Sequence, residues 1–315
     1  LTGLFTSSCS KLNTDSPIER KDIVLTKVQQ DILEQGNEFA VDLFREMCLE
    51  MEGDNVFISP LSASMALSAV TNGAQGTTMN EMKGVLGFEP YSLEDMNTFY
   101  HHLVPALKEV DNTVSLQIAN AVWIEETFPV KTPFIQSLQH YYDASVTNLD
   151  FSDSGAPAVI NQWCADNTND LIKKVLDRID PDARLIYTNA LYFKGKWEST
   201  FDKTASWQGP FTNLSGSTGQ VTYMEQTHSF PYTTGQNVAI AEIPYGNKAY
   251  SMVIVLPDPG VSVMDVVSGF TPEQWDLWTS GLYTTELNLR IPRFKVEFDS
   301  EDTMIPVLTR MGMGA

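Results

Sequence analysis

The sequence predicts an α+β fold, and three observations carry that prediction. Apolar residues recur at helical spacing through the first half and alternate at strand spacing through the second. The stretch 61–72 is apolar or small all round, so it reads as a helix buried on all sides. The run Leu185–Phe193 is almost wholly apolar or β-forming, so it reads as a strand buried on both faces. A chain of 315 residues with 43% apolar and 19% charged content can bury a large core, which excludes a disordered or collagen-like protein.

Residues Leu1 to Cys9 are small and mildly apolar, and the chain turns polar from Ser10 to Lys21. This resembles the tail of a bacterial lipoprotein signal, with Cys9 as the lipidated residue, although Thr6 stands where that motif usually has leucine. The other reading is a loose terminus with an incidental cysteine. Residues 1–30 are therefore assigned as signal remnant and tether, and 31–315 as the folded domain, starting near Ile32.

Phe39, Leu43 and Met47, with Ala40, Phe44 and Cys48, give a one-faced helix that buries Cys48. Asn55–Ile58 reads as a short strand. Ser59 then offers an N-cap and Pro60 a first helical residue for the buried helix, which Gly73 ends. Thr78-x-x-Glu81 reads as a capping box for the next helix. Residues 92–108 form a helix bearing His101 and His102, which are adjacent, point to different faces and so cannot chelate together. Strands follow over 113–123 and 146–151, with helices from Pro133 to Tyr142 and over 157–173. Beyond the Leu185–Phe193 strand come strands over 221–224, 230–233, 238–244 and 250–256, a helix with Trp275 and Trp278, an alternating strand at Leu287–Ile291, and a helix over 301–311.

Asn189 stands inside the apolar strand, where an unpaired amide would cost about 1–3 kcal/mol. The serines of the buried helix, Ser59 and Ser62, are the expected partners, forming a small polar cluster in an apolar core.

Twenty Lys and Arg against forty Asp and Glu give a net charge of −20, which excludes nucleic acid as a partner. Three cysteines and four histidines show no metal-ligand spacing, and no Gly-rich phosphate loop or nucleophile motif occurs, so no metal, cofactor or catalytic residue is expected. Cys164 lies on an apolar helical face, unsuited to an activated thiolate. The protein is read as not an enzyme.

Several motifs then name a family. Asn55-x-x-x-Ser59-Pro60-x-Ser62 with Gly73-Ala74-x-Gly76, Ile160-Asn161-x-Trp163, Asn189-Ala190-x-Tyr192-Phe193-Lys194-Gly195-x-Trp197, Ile243-Pro244-Tyr245 with Leu256-Pro257, Ile291-Pro292-Arg293-Phe294, and Met311-Gly312-Met313 resemble the serpins in order, over about residues 30 to 315. The resemblance implies three β-sheets covered by eight or nine helices, with the Leu185–Phe193 strand near the centre of the largest sheet. It implies that Ser59, Ser62 and Asn189 form the "shutter" over which that sheet opens, and that Trp197 marks the "breach" where the reactive loop first inserts. It implies inhibition of serine proteases, or of cysteine proteases, by a cleaved loop inserting into the large sheet. The alternatives are a non-inhibitory serpin acting as a binding module and an inactive fragment.

In the family, a further strand, the loop hinge and the scissile bond follow Met311-Gly312-Met313. The sequence given ends at Ala315, so it is expected to be a C-terminally truncated, bacterial-type member lacking the last strands and the reactive loop. Heparin activation is not expected, because residues 92–108 carry a single cation, Lys108, beside Glu94, Asp95 and Glu109. The Cys9 motif points to an extracellular or cell-envelope location with a lipid anchor.

Overall fold

The computed structural model describes residues 20–300 and 303–314. Cys9, the expected lipidation site, lies outside the described residues. Helix α1 runs Lys27–Glu50, so the chain is already helical ahead of Ile32. Thr26 caps it in a full capping box with Gln29, a polar pair that fixes the helix start before the apolar face begins. Ile32, Leu43 and Met47 are fully buried on that face.

Residues 55–58 form no strand and lead directly into α2 (Pro60–Thr71). Ser59 caps α2 as expected, its hydroxyl accepting from Ser62 N, and Pro60 takes the first turn. No residue of α2 is exposed, and Ser64, Met65, Ser68, Ala69 and Thr71 are fully buried. The capping box at Thr78 does not form. α3 (Gly76–Val85) starts earlier, because Gly76 at φ +59° turns the chain into the helix before Thr78, with Gln75 at the cap position.

Helices α4 (Leu93–Glu109), α5 (Thr132–Tyr142) and α6 (Ala156–Asn167) follow, with strands β1 (Ser115–Glu125), β2 (Ala144–Leu149) and β3 (Leu185–Lys194) interleaved. These strands form one sheet in the order β2-β1-β3, with β1–β2 parallel and β1–β3 antiparallel. The two faces separate by the period-2 rule. Ile118, Val122 and Ile124 pack into the main core with Met65 of α2, whereas Ala121 and Trp123 pack with Ile160 of α6.

One expectation for β3 is corrected here, its burial on both faces. Among the described residues β3 pairs with β1 and lies in the three-stranded sheet, the smaller of the two described. Most of its residues are half-buried, and only Ala190 and Tyr192 are fully buried. The strand buried on both faces is β1, where Ala121 to Ile124 are all enclosed, because β1 has a neighbour on each side and a helix over each face.

The second half builds the larger sheet from β4 (Trp207–Thr212), β5 (Thr218–Gly235), β6 (Val238–Pro244), β7 (Ser251–Pro257) and β8 (Tyr283–Pro292). β5 is one strand of 18 residues spanning the two short strands expected there. It pairs β4 at its start, β6 at its end and β8 between, which merges two strand groups into one hydrogen-bonded sheet. Helices α7 (Val263–Ser268), α8 (Pro272–Ser280) and α9 (Met304–Met311) complete the fold. Among the described residues no helix is long and apolar enough to cross a membrane.

Candidate functional site

The candidate site is the face of β3 turned toward α2, together with the segment that leaves β3 at Trp197. Asn189 lies on that face with Leu185, Tyr187 and Leu191, all of one strand parity. Its orientation is therefore the one the sequence predicted. Its partners are not. Ser59 donates to Ser62 Oγ at 3.0 Å, and the two serines form their own pair at the start of α2. Asn189 Nδ2 instead donates to Asn120 Oδ1 on β1 at 2.8 Å, across the strand register. Asn189 Oδ1 is buried without a partner.

Asn120 is the centre of this cluster, and sequence reasoning missed it. Its Oδ1 accepts from both Asn189 and the Tyr187 hydroxyl, each at 2.8 Å, and its Nδ2 donates to the Tyr142 carbonyl at the end of α5 at 2.7 Å. The chain of bonds continues into the helices. Tyr142 donates to Asn97 Oδ1 at 2.8 Å, and Asn97 and Asn72 exchange amide bonds at 2.8 and 2.9 Å. Asn72 also donates to the Ser68 carbonyl, tying the end of α2 into the same network. The signal was present for one residue: Asn120 interrupts a buried strand just as Asn189 does. Asn97 sits on α4, where a polar residue reads as surface, and Asn72 lies at the C-terminal end of α2, where a polar residue reads as a helix end.

Burial sets the electrostatics. It pushes the Tyr142 and Tyr187 phenols well above their ordinary range, so both stay neutral donors. Tyr100, also raised by burial, shares a 2.5 Å bond with Ser64. Asn189→Ala is expected to lower stability by only about 1 kcal/mol, because Tyr187 still serves Asn120 and the unpaired Oδ1 is removed with the side chain. A loss above 3 kcal/mol in urea denaturation would contradict that.

Trp197 follows β3 and stacks on Tyr245 with ring centroids 4.3 Å apart and planes within 16°. A backbone bridge joins the same two residues, and Phe201 meets the indole edge-on at 6.3 Å. Gly195 permits this approach, since a Cβ there would sit 2.8 Å from the Tyr245 ring. The turn after Tyr245 is held from below. Asp111, 1% exposed, accepts from Asn247 N at 2.9 Å and from Thr113 N at 2.8 Å, while Asn247 Nδ2 donates to the Val110 carbonyl at 2.9 Å. Tyr250 bonds the Leu107 carbonyl in the last turn of α4. The end of α4 is thus fastened to the Trp197 segment.

Among the described residues no nucleophile is assembled. Cys48 and Cys164 are buried, and burial pushes each thiol up to about 11 from a usual value near 9. The thiolate fraction at pH 8 is then on the order of a thousandth. Iodoacetamide at pH 8 is expected to label neither in the folded protein and both in denaturant. Because the folded pKa is the higher one, their contribution to stability is intact below pH 9 and is lost as pH rises toward about 11.

A three-stranded sheet laid over a buried polar floor, beside a five-stranded sheet, defines a class of fold. Comparison with known proteins identifies the class. The family model Serpin (serine protease inhibitor) matches residues 34–315. An uncharacterized serpin-like protein of the archaeon Methanosarcina mazei is 32% identical over 278 residues, covering 86% of this chain and 65% of that protein. The leukocyte elastase inhibitor of Equus caballus is 32% identical over 290 residues, covering 88% of this chain and 76% of that protein. The thermophilic serpin tengpin in its latent state superposes with a TM-score of 0.82 at 28% identity, covering 94% of this chain and 77% of tengpin. The chain belongs to the serpin family, one of protease inhibitors and not of enzymes. It spans about two thirds of the length of the archaeal relatives it matches, 65% in each case.

Proposed function

We propose that the protein inhibits serine proteases, and cysteine proteases of similar reach, by insertion of a cleaved loop into the sheet that holds β3. The observation that carries this is the family match over residues 34–315, together with the polar floor on which β3 lies. A strand added to a sheet gains a full row of main-chain hydrogen bonds. The floor beneath β3 is the Asn120 network, and the Trp197–Tyr245 stack stands at the end of β3. A target protease would attack an exposed loop and form an acyl-enzyme through its own serine or cysteine. Insertion of the cleaved loop beside β3 would then carry the protease away before deacylation.

The relatives support a two-state reading. Tengpin in its native state covers the same 94% of this chain at a TM-score of 0.80, against 0.82 for the latent state, so the described residues match what the two states share. The test is incubation of the full-length gene product with trypsin-, chymotrypsin- and elastase-like proteases and with a papain-like one. A complex that survives boiling in SDS is expected with at least one. Cleavage without a complex across the panel would overturn the reading in favour of a binding module. We propose also that the protein acts outside the cell, held to the envelope through a lipid on Cys9. Mass spectrometry of the native protein showing an unmodified Leu1–Cys9 segment would refute that placement.

A further inference from the structure

Two of the four histidines meet where the sequence could not show it. His101 on α4 and His140 in the last turn of α5 are both exposed, with ring centroids 5.2 Å apart and planes inclined by 28°. Tyr141 packs edge-on against both rings, at 6.1 Å from His101 and 4.5 Å from His140. Its hydroxyl donates to Glu94 at 2.8 Å, which holds a carboxylate over the same helix pair. His102 points elsewhere, toward Gln29.

We propose that His101 and His140 form a two-imidazole site for a first-row divalent ion of borderline softness, with Zn2+ as the type, that ties α4 to α5. Two imidazoles on one tetrahedral Zn2+, with Zn–N near 2.0 Å, place their centroids about 5 Å apart, which is the separation found here; the rings are stacked, so both must rotate to aim a nitrogen at a shared ion. Imidazole pairs take Zn2+, Ni2+ and Cu2+ in preference to Ca2+ and Mg2+, which want oxygen. The setting favours a cation. His140 lies at the negative end of the α5 dipole, Glu94 is near, and the chain carries a net charge of −20. Among the described residues no three His, Cys, Asp or Glu side chains converge, so water completes the coordination and the site is open.

The site also has a place in the fold. His101 is one turn beyond Asn97, and His140 is two residues before Tyr142, the two residues that join α4 to α5 in the buried network. An ion across the histidines would brace from outside the helix pair that the Tyr142–Asn97 bond holds from inside.

The test is calorimetric titration of the metal-stripped full chain with ZnCl2 at pH 7.5, in a Cys9→Ser background that removes the thiol outside this site. One ion per chain is expected. His101→Gln and His140→Gln should each weaken it about tenfold or more, and His102→Gln should leave it unchanged. Zn2+ should raise the melting temperature of the parent and not of the two weakened variants, and CaCl2 should do neither. These side chains are exposed, so the substitutions leave the fold intact. Absence of Zn2+ binding, or binding that survives either His101→Gln or His140→Gln, would overturn the proposal. Neither result bears on protease inhibition, which is scored separately by the SDS-stable complex.

Discussion

Asn120→Leu is expected to lower the free energy of unfolding by about 3–5 kcal/mol, the largest loss from any single polar residue of the β3 floor. One side chain serves three partners from three elements: Asn189 and Tyr187 on β3 and the Tyr142 carbonyl at the end of α5. Leucine has the same number of side-chain heavy atoms and the same branch at Cγ, and it lies beside Val122 and Ile118, so the change removes the bonds without opening a cavity, while its bulkier methyl groups add some overpacking. It strands a buried phenol, an amide and a carbonyl, each at about 1–3 kcal/mol, with apolar burial offsetting part of the sum. A double-mutant cycle with Asn189→Ala should return a coupling of about 1 kcal/mol, because only one of the three bonds is shared. The loosened floor should also let β3 separate more readily, seen as polymer formation at temperatures the parent withstands. Asn120→Leu within 1 kcal/mol of the parent would show that the network is ornamental to stability.

The legible parts of the fold were those set by neighbouring residues. Ser59-Pro60 marks the start of α2 because capping needs only the next few residues, and Gly73 follows the end of α2 for the same reason. The face on which Asn189 lies was legible because strand parity is local. Its partner was not, because register with β1 is a contact across 69 residues of sequence. The overestimate of β3's burial has the same origin. An apolar run shows that a segment can be covered, and which distant elements cover it is settled only in the folded chain. The clasp under Trp197 joins Asp111 to Asn247 over 136 residues, so neither residue carried a local signal. Family motifs named Trp197 and the α2 serines but not the network, since motifs name positions and leave their bonds to the folded structure.

The clasp supports the second large prediction. Gly246→Ala is expected to cost about 3–5 kcal/mol and to disturb Trp197, because Gly246 N donates to the carbonyl of Lys196, the residue before the indole, at 2.9 Å. Gly246 sits at φ +42°, where an L side chain alone costs about 1–2 kcal/mol. A Cβ there would also overlap Thr113 Oγ1 and the Asp111 carboxylate, closer than real atoms approach. Asp111 cannot yield freely, because it is 1% exposed and its two oxygens are bound by Thr113 and Asn247. Moving it withdraws bonds from a buried charge, worth about 1.5–3 kcal/mol each. The turn would have to lift, and Tyr245, the residue before it, would lose its stack on Trp197. A red-shifted tryptophan emission should therefore accompany the fall in melting temperature. Gly216→Ala is the control. It has φ +80° but nothing within 4 Å of the added methyl, so it carries the backbone strain alone and should cost about 1–2 kcal/mol with unchanged emission. If the two substitutions behaved alike, the clasp would not be what holds the Trp197 segment. If they separate as expected, the end of α4 and the segment that leaves β3 form one mechanical unit, and a ligand that shifts α4 has a direct path to β3.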